Sequence, residues 1–321
     1  MLIKSILIFC GCLLTTWFVY PKLIPFLKRI KYGQTISQYS LDDYKQKEGT
    51  PTMGGVAFVI IPVIFIVIIY PELFFDIKIL LVIMAYVGYG LIGFVDDYII
   101  VIKRDNAGLS VKLKFSLQLA LSIIFYLIYR EHSVTTLTFP FIEYTVDLGW
   151  LYMVLVFFMF TGSSNAVNIT DGMDGLAGGT SVLALIPFAI FAFMFDQSYI
   201  GVFVVGVIAS LLGYLRYNLN PAKIFMGDAG SLALGGLLAA LALVLKQEIA
   251  LIIVGGVFVF ETACVILQIA SVKLRKKRIF KYTPIHYSFV INGMSEKNVV
   301  YLFWLMGLTF MIFGLIAGVN V

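Results

Sequence analysis

The stretch IKILLVIMAYVGYGLIGFVDDY, residues 77–98, decides the fold, because an apolar run of membrane-crossing length ends in two adjacent carboxylates. From Ile77 to Val95 the run carries one charge, Lys78. A helix needs about 20 apolar residues to cross about 30 Å of hydrocarbon. Ionisable groups beside hydrocarbon are costly, so their presence indicates a functional site. The stretch therefore predicts a membrane helix with chemistry at one end.

Similar apolar runs recur along the 321-residue chain, of which 61% is hydrophobic and 13% is charged. This composition excludes an ordinary soluble globule. Because hydrocarbon offers the backbone no hydrogen bonds and period-two patterning is absent, we expect an all-α integral membrane protein. We expect one polytopic domain over residues 1–321, with about ten transmembrane helices. The predicted spans are Leu2–Tyr20, Gly54–Tyr70, Ile77–Val95, Phe115–Tyr129, Leu148–Ala166, Leu176–Phe195, Tyr199–Leu215, Ser231–Leu245, Ile249–Val272 and Val299–Val319.

The distribution of basic residues predicts how the chain is oriented in the membrane. With ten spans, 19 of the 23 Lys and Arg residues fall on loops of one face. The other face has only Lys4, Lys78, Arg130 and Lys246. Cytoplasmic loops carry the excess of Lys and Arg. The count therefore predicts that both termini are extracytoplasmic and that the basic face is cytoplasmic.

The polar motifs of the chain fall on this predicted cytoplasmic face. They are KEGTPTMGG (47–55), GFVDDY (93–98), GLSVKLKF (108–115), NAVNITDGMDGLAGG (165–179), YNLNPAKIFMGDAGS (217–231) and KYTPIHYSF (281–289). Carboxylates can bind Mg²⁺ together with substrate phosphates, while lysines neutralise the remaining phosphate charge. The motifs thus predict an active site on the cytoplasmic face for a Mg²⁺-dependent reaction of a phosphorylated substrate.

The spacing of the acidic residues gives geometric expectations. Neighbours on a helix point about 100° apart, so Asp96 and Asp97 are expected to have different partners. In NITDGMDG, the i, i+3, i+6 spacing of Asn168, Asp171 and Asp174 predicts side chains along one side of a helical turn. Asp228 precedes a predicted helix, whose N-terminus is expected to attract anions.

Each motif also has a purely structural interpretation. A pair of aspartates at a helix end is often a solvated cap, and Asp-Gly pairs often mark turns. By itself, His286 is more typical of an interfacial histidine with satisfied hydrogen bonds. Glu261, within an apolar span, favours a structural hydrogen-bonding role. The basic run Arg275–Arg278 favours contact with anionic lipid.

Taken in order, TPTMGG, GFVDDY, GLSxKxKF, NITDGMDGLAGG, NPAKIFMGDAGSLALGG and TPIHYSF resemble the motifs of the phospho-N-acetylmuramoyl-pentapeptide transferases. These enzymes belong to the polyprenyl-phosphate N-acetylhexosamine-1-phosphate transferase superfamily, and the resemblance covers essentially the whole chain. It implies a multi-pass enzyme of the bacterial cytoplasmic membrane that moves phospho-MurNAc-pentapeptide from UDP-MurNAc-pentapeptide to undecaprenyl phosphate. The products would be lipid I and UMP, and Mg²⁺ would be required.

The resemblance also implies roles and partners. The catalytic residues it implies are Asp96, Asp97, Asp228 and His286, with Asp228 as the Mg²⁺ ligand. The substrate-binding residues it implies are Lys47, Lys112, Lys114, Asn168, Asp171, Asp174, Asn218, Phe225, Gly227 and Gln268. A homodimer surrounded by membrane lipids is expected. No nucleic-acid partner is expected, since membrane topology explains the basic residues.

The last motif departs from the family pattern, which has consecutive histidines after its proline. Here Pro284-Ile285 is followed by His286, Tyr287 and Ser288. Only the first histidine is kept, so any histidine role falls on His286.

Two mechanisms and three functions are compatible with the sequence. We favour direct attack of the lipid phosphate on the donor phosphorus; the rival is a covalent phospho-aspartate at Asp97. Another donor, such as UDP-GlcNAc, would place the chain in a sister branch of the superfamily. An ion-coupled transporter is disfavoured, because Glu261 is the only clear carboxylate at mid-depth of a span and no internal repeat is present.

Overall fold

The structure, a computed structural model, describes residues 2–30, 47, 49–103, 108–142 and 144–319. Most of these residues are helical. The α-helices are α1 (Leu2–Arg29), α2 (Gly55–Ile69), α3 (Ile77–Lys103), α4 (Val111–Tyr129), α5 (Leu151–Thr170), α6 (Leu176–Met194), α7 (Ser198–Asn218), α8 (Gly227–Val244), α9 (Glu248–Val254), α10 (Gly256–Arg275), α11 (Ile285–Ile291) and α12 (Glu296–Val319). A short 3₁₀ helix, Pro71–Phe75, follows α2.

The prediction of an all-α integral membrane protein is confirmed. Within the described ranges, nine helices are long and apolar enough to cross a membrane, and the shorter apolar α2 has 15 residues. These helices match the ten predicted spans. The positions of both termini relative to the membrane, the face that carries the site, and the single domain over residues 1–321 stay predictions.

The prediction of one continuous ninth span, Ile249–Val272, is wrong. The helix breaks at Gly255 into α9 and α10. Two consecutive glycines weaken a helix, because neither has a Cβ and both lose much backbone freedom on ordering. Gly256 also packs against the ring of Phe310, which a Cβ would approach to 2.6 Å. The glycine pair therefore both breaks the span and admits an aromatic ring.

Outside the helices, the described residues contain one short hairpin that the sequence did not predict. The connector between α4 and α5 contains an antiparallel hairpin, β1 (Thr136–Phe139) and β2 (Tyr144–Asp147). Its alternation extends over only four residues in each strand, too few to stand out in the sequence. The Lys246 ammonium donates to the Thr136 carbonyl at 2.5 Å and joins the hairpin to the end of α8.

Helix α8 lies at the centre of the bundle, and every residue from Ala229 to Val244 is buried. Glycines let its neighbours come close, as is common between membrane helices. A Cβ on Gly93 of α3 would lie 2.0 Å from the Asp228 carbonyl, and one on Gly235 would lie 2.4 Å from the backbone of α5. This packing brings the start of α8 beside the Asp-Asp pair of α3 and the end of α5.

Candidate active site

The N-terminus of α8 is capped by a side chain from another helix. Asp97 of α3 accepts the backbone N–H of Asp228 at 3.1 Å through Oδ1, and that of Ala229 at 3.0 Å through Oδ2. Gly227 has φ +70, and a Cβ there would lie 2.3 Å from the Asp97 carboxylate. The carboxyl group of Asp97 therefore caps the start of α8 from a neighbouring helix.

A carboxylate–lysine cluster, formed by Asp96, Lys114, Asn168 and Asp228, lies beside this cap. The Lys114 ammonium contacts Asp228 Oδ2 and lies 3.5 Å from Asp96 Oδ2. Asn168 of α5 donates to Asp228 Oδ1 at 2.7 Å. Asp96 also accepts the Leu109 N–H at 2.7 Å. Four helices (α3, α4, α5 and α8) and the loop before α4 therefore meet at this cluster, in which the Lys114 ammonium bridges Asp96 and Asp228.

The 171–175 segment runs past this cluster, and its conformation differs from the one expected. Helix α5 ends at Thr170, and Gly175 has φ +82 before α6 begins. The predicted helical turn through Asn168, Asp171 and Asp174 is therefore wrong beyond Asp171, because the intervening glycines favour a turn.

The Asp171 carboxyl follows the end of α5 and faces other acidic groups. Its pKa is raised well above the usual range by burial and by the nearby carboxylates of Asp228 and Asp97, while Lys47 opposes this shift. Such mutual repulsion is relieved when a cation binds between the groups.

The Asp174 carboxylate is bonded to other residues of the protein. It is 3% exposed, and the Lys47 ammonium lies 2.6 Å from its Oδ1 and 2.6 Å from Glu296 Oε1. Its Oδ2 accepts the Ala222 N–H at 2.9 Å and the Asn220 amide at 3.2 Å. Asp174 thus joins the 171–175 segment to the loop after α7.

Two further predicted residues belong to the same framework. Asn218 accepts the Gly175 N–H at 2.9 Å and donates to the Ile224 carbonyl at 2.9 Å. Phe225 pairs through its backbone, donating to the Pro51 carbonyl at 2.9 Å and accepting the Gly54 N–H at 2.8 Å. The residue as a whole is half-buried.

The remaining three predicted residues contact neither the carboxylate–lysine cluster nor the Lys47–Asp174 contacts. Lys112 is exposed, although it is only two positions from Lys114. Gln268 is 7% exposed and holds the loop after α10, accepting the N–H groups of Ile279 and Phe280. His286 is completely buried and pairs with Glu261.

Sequence reasoning missed Glu296 as the second partner of Lys47. The two residues are 249 positions apart, and Glu296 begins α12, where an acidic residue is typical of any helix start. A local pattern cannot predict such a long-range ion pair.

The donor set suits a metal ion that needs few protein ligands. Among the described residues, no three His, Cys, Asp or Glu side chains are arranged to hold an ion by themselves. Mg²⁺ often takes only one or two carboxylates, with phosphates and waters completing its shell. Asp228 fits this mode, because its side chain is 22% exposed and already binds the Lys114 cation.

Comparison with known proteins supports the same kind of site as the geometry does. The family described as Glycosyl transferase family 4 matches residues 79–246, which include all four residues of the carboxylate–lysine cluster. The pattern described as Phospho-N-acetylmuramoyl-pentapeptide-transferase signature 1 matches residues 47–59. Fold, site and family model together define a multi-pass membrane glycosyl transferase.

Curated relatives narrow this class. The chain is 46% identical over 312 residues to Phospho-N-acetylmuramoyl-pentapeptide-transferase of Staphylococcus epidermidis, covering 96% of this chain and 97% of that protein. The proteins of the same name from Staphylococcus haemolyticus and Staphylococcus aureus are also 46% identical, over 315 and 314 residues, with the same coverage. The chain belongs to the phospho-N-acetylmuramoyl-pentapeptide-transferase family, whose members are phosphoglycosyl transferases of bacterial membranes.

Proposed function

We propose that this protein transfers phospho-MurNAc-pentapeptide from UDP-MurNAc-pentapeptide to undecaprenyl phosphate, forming lipid I and UMP at the cytoplasmic face. The observation that carries the proposal is the Lys114 ammonium held between Asp96 and Asp228 at the start of α8. A phosphate transfer of this kind depends mainly on positioning and on neutralising charge. The excess of Lys and Arg on the loops of this face supports its cytoplasmic location.

Asp228 is the proposed Mg²⁺ ligand, with Asn168 fixing the orientation of its carboxylate at 2.7 Å. A bound Mg²⁺ would offset negative charge on the diphosphate and on the departing UMP. The Lys114 ammonium would neutralise further phosphate charge, and Asp96 helps to hold that ammonium in place. The Asp171 carboxyl interacts electrostatically with Asp228 and would contact the donor.

Direct attack by the lipid phosphate is the proposed mechanism. A phosphate monoester has a second pKa of about 6, so the acceptor is largely ionised at neutral pH and needs little help from a base. Asp97 is a poor nucleophile here, since both of its oxygens accept backbone N–H groups and it is 5% exposed. Asp97 instead holds Asp228 in position.

Replacing Asp97 with asparagine should therefore lower kcat by about 10- to 100-fold, as is typical when a residue that positions a functional group is lost. An amide offers one acceptor oxygen to two buried N–H groups, so the start of α8 shifts. Steady-state UMP release measures the effect. Activity at the uncatalysed background in a well-folded D97N variant would instead favour the covalent phospho-aspartate.

Binding of Mg²⁺ should also be visible without any reaction. Adding millimolar Mg²⁺ to chelator-treated protein is expected to raise the midpoint of thermal unfolding, because a cation relieves repulsion among Asp228, Asp97 and Asp171. At about 100 times the dissociation constant, binding contributes about 2.7 kcal/mol. The D228N variant should lose this shift; an equal shift in D228N would place the ion elsewhere.

An apolar groove supports a binding site for the acceptor tail beside the cluster. An apolar groove of about 410 Å³ runs between α5 and the α9–α10 pair. Its lining includes Ala166 and Val167, which immediately precede Asn168, and extends to Leu137 and Ile249 at the other end of the helices. A polyprenyl chain lying there would bring its phosphate to the carboxylate–lysine cluster.

Filling the groove should weaken binding of the lipid alone. Gly162 lines the groove, and a Cβ there meets no atom within 4 Å. Gly162→Leu is therefore expected to raise the KM for undecaprenyl phosphate about tenfold. A tenfold change corresponds to about 1.4 kcal/mol, which is the loss expected if one or two CH₂ groups of the lipid can no longer be buried. Gly162→Ala should have a smaller effect. A raised KM for the UDP-sugar donor would contradict this placement.

A donor comparison tests the function itself. Purified enzyme is given undecaprenyl phosphate with UDP-MurNAc-pentapeptide or with UDP-GlcNAc, with and without Mg²⁺, and both UMP and lipid product are followed. We expect transfer from the muropeptide donor alone, abolished by EDTA. Transfer only from UDP-GlcNAc would move the protein to the sister branch, and no transfer with either would overturn the proposal.

A further inference from the structure

Glu261 and His286 form a buried pair behind the active site. Both side chains are 0% exposed, and His286 Nδ1 lies 3.0 Å from Glu261 Oε1. Glu261 Oε2 also accepts the backbone N–H of Ile285, the first residue of α11, at 2.9 Å. One carboxylate therefore caps α11 and fixes the histidine ring.

The other ring nitrogen of His286 faces the 171–175 segment. Nε2 has no hydrogen-bond partner among the described residues. A Cβ placed on Gly172 would lie 2.3 Å from Nε2 and 2.9 Å from the hydroxyl of Tyr287. The Tyr287 hydroxyl donates to the Gly172 carbonyl at 3.0 Å. Gly172 thus packs directly against the side chains of His286 and Tyr287 in the first turn of α11.

The rest of the segment is held from the same side of the protein. Glu296 accepts the Asp174 N–H at 2.9 Å, and the indole N–H of Trp304 donates to the Gly175 carbonyl at 3.2 Å. Helices α11 and α12 therefore fix the path of the backbone immediately after Asp171.

We propose that Glu261 and His286 are positioning residues, which set the 171–175 segment and hence the Asp171 carboxyl, and that His286 exchanges no proton with the substrate. The inference deepens the proposed function, on which it rests. Because the imidazole has no exposed atom, a substrate cannot reach it. Its effect on the reaction passes through Gly172.

The hydrogen bonds assign the state of the ring. His286 Nδ1 faces an oxygen of Glu261, whereas Nε2 has no acceptor among the described residues, so we assign the ring proton to Nδ1. In Glu261→Gln, the Ile285 N–H still requires the amide oxygen, so the amide NH₂ must face Nδ1. That arrangement moves the ring proton to Nε2, directly against Gly172.

Nitrogen NMR of the full enzyme in lipid bilayers can show which ring nitrogen of His286 carries the proton. The signals can be assigned because the chain has only two histidines. The second, His132, is exposed at the far end of α4, and His132→Gln identifies its signal and should leave activity unchanged. We expect Nδ1–H in the wild type and Nε2–H in E261Q. An Nε2–H signal from His286 in the wild type would overturn the assignment.

Kinetics then separates positioning from proton transfer. E261Q should lower kcat about 10- to 100-fold. In His286→Asn the side-chain amide replaces Nδ1–H as donor to Glu261, so the loss should stay within about tenfold, with both limbs of the pH profile of kcat/KM unchanged. Disappearance of one limb in H286N would show that His286 transfers a proton and would overturn the inference.

A double-mutant cycle tests the contact with Gly172 directly. Gly172→Ala should lower kcat because its Cβ collides with the ring, and His286→Ala removes that collision. The combined loss should then be smaller than the product of the two separate losses; independent effects would contradict the contact. The kinetic assays use whichever UDP-sugar donor supports transfer, and the NMR assay needs none, so a wrong donor leaves this test intact.

Discussion

Replacing Asp228 with asparagine should lower kcat by about 10³-fold, since loss of the metal ligand removes several kcal/mol of charge stabilisation, and about 1.4 kcal/mol corresponds to tenfold. The asparagine oxygen can still accept from Asn168. Its NH₂ group, however, faces the Lys114 ammonium, so two donors meet where a carboxylate and a cation met. UMP release at saturating donor, acceptor and Mg²⁺ measures the loss.

The matched control is Asp196→Asn, at the opposite end of α6 from the site. Asp196 is exposed and has φ +57, a conformation that asparagine also adopts readily. We expect D196N to retain wild-type kcat. A D228N variant that keeps more than a tenth of the wild-type rate in Mg²⁺ would remove Asp228 from its proposed role.

Lys114→Met should lower kcat by about 10²- to 10³-fold, the usual effect of removing one group that stabilises developing negative charge. It also leaves the carboxylates of Asp96 and Asp228 without the cation between them. Because methionine keeps most of the length of the side chain, the change tests charge more than packing.

Lys112→Met is the control for this prediction. It lies on the same turn of α4, is exposed, and contacts none of the cluster. Its loss should change kcat by about twofold at most, as for an ordinary surface substitution. Equal losses in K112M and K114M would show that the general positive charge of this face matters, and would contradict a specific bridge by Lys114.

The membrane fold could be predicted from sequence because apolar runs of about 20 residues have few other solutions. The break at Gly255 could not, since a glycine pair within a membrane helix is equally typical of close packing. The hairpin of β1 and β2 could not be predicted either, because four alternating residues in each strand are too few to distinguish from a loop.

For the site, the sequence predicted which polar residues lie close together in the fold. It could not predict which of them face the substrate. The Asp96-Asp97 pair predicts two directions, yet only the packing of α3 on α8 shows that Asp97 caps a helix. Asp174 lies in a motif typical of ligand binding, yet its carboxylate pairs with Lys47 and accepts a backbone N–H group. His286 has the residue type of an acid–base group and is wholly buried. Such differences depend on contacts between distant parts of the chain.

The most direct test of the central claim is the amount of UMP released per enzyme from UDP-MurNAc-pentapeptide in Mg²⁺, with and without undecaprenyl phosphate. Direct transfer at the carboxylate–lysine cluster predicts sustained UMP release only when donor, lipid acceptor and Mg²⁺ are all present. Without the acceptor, neither a burst of UMP nor phosphosugar-labelled protein should form. A burst of one UMP per enzyme without acceptor, or no UMP from the complete mixture, would contradict the account.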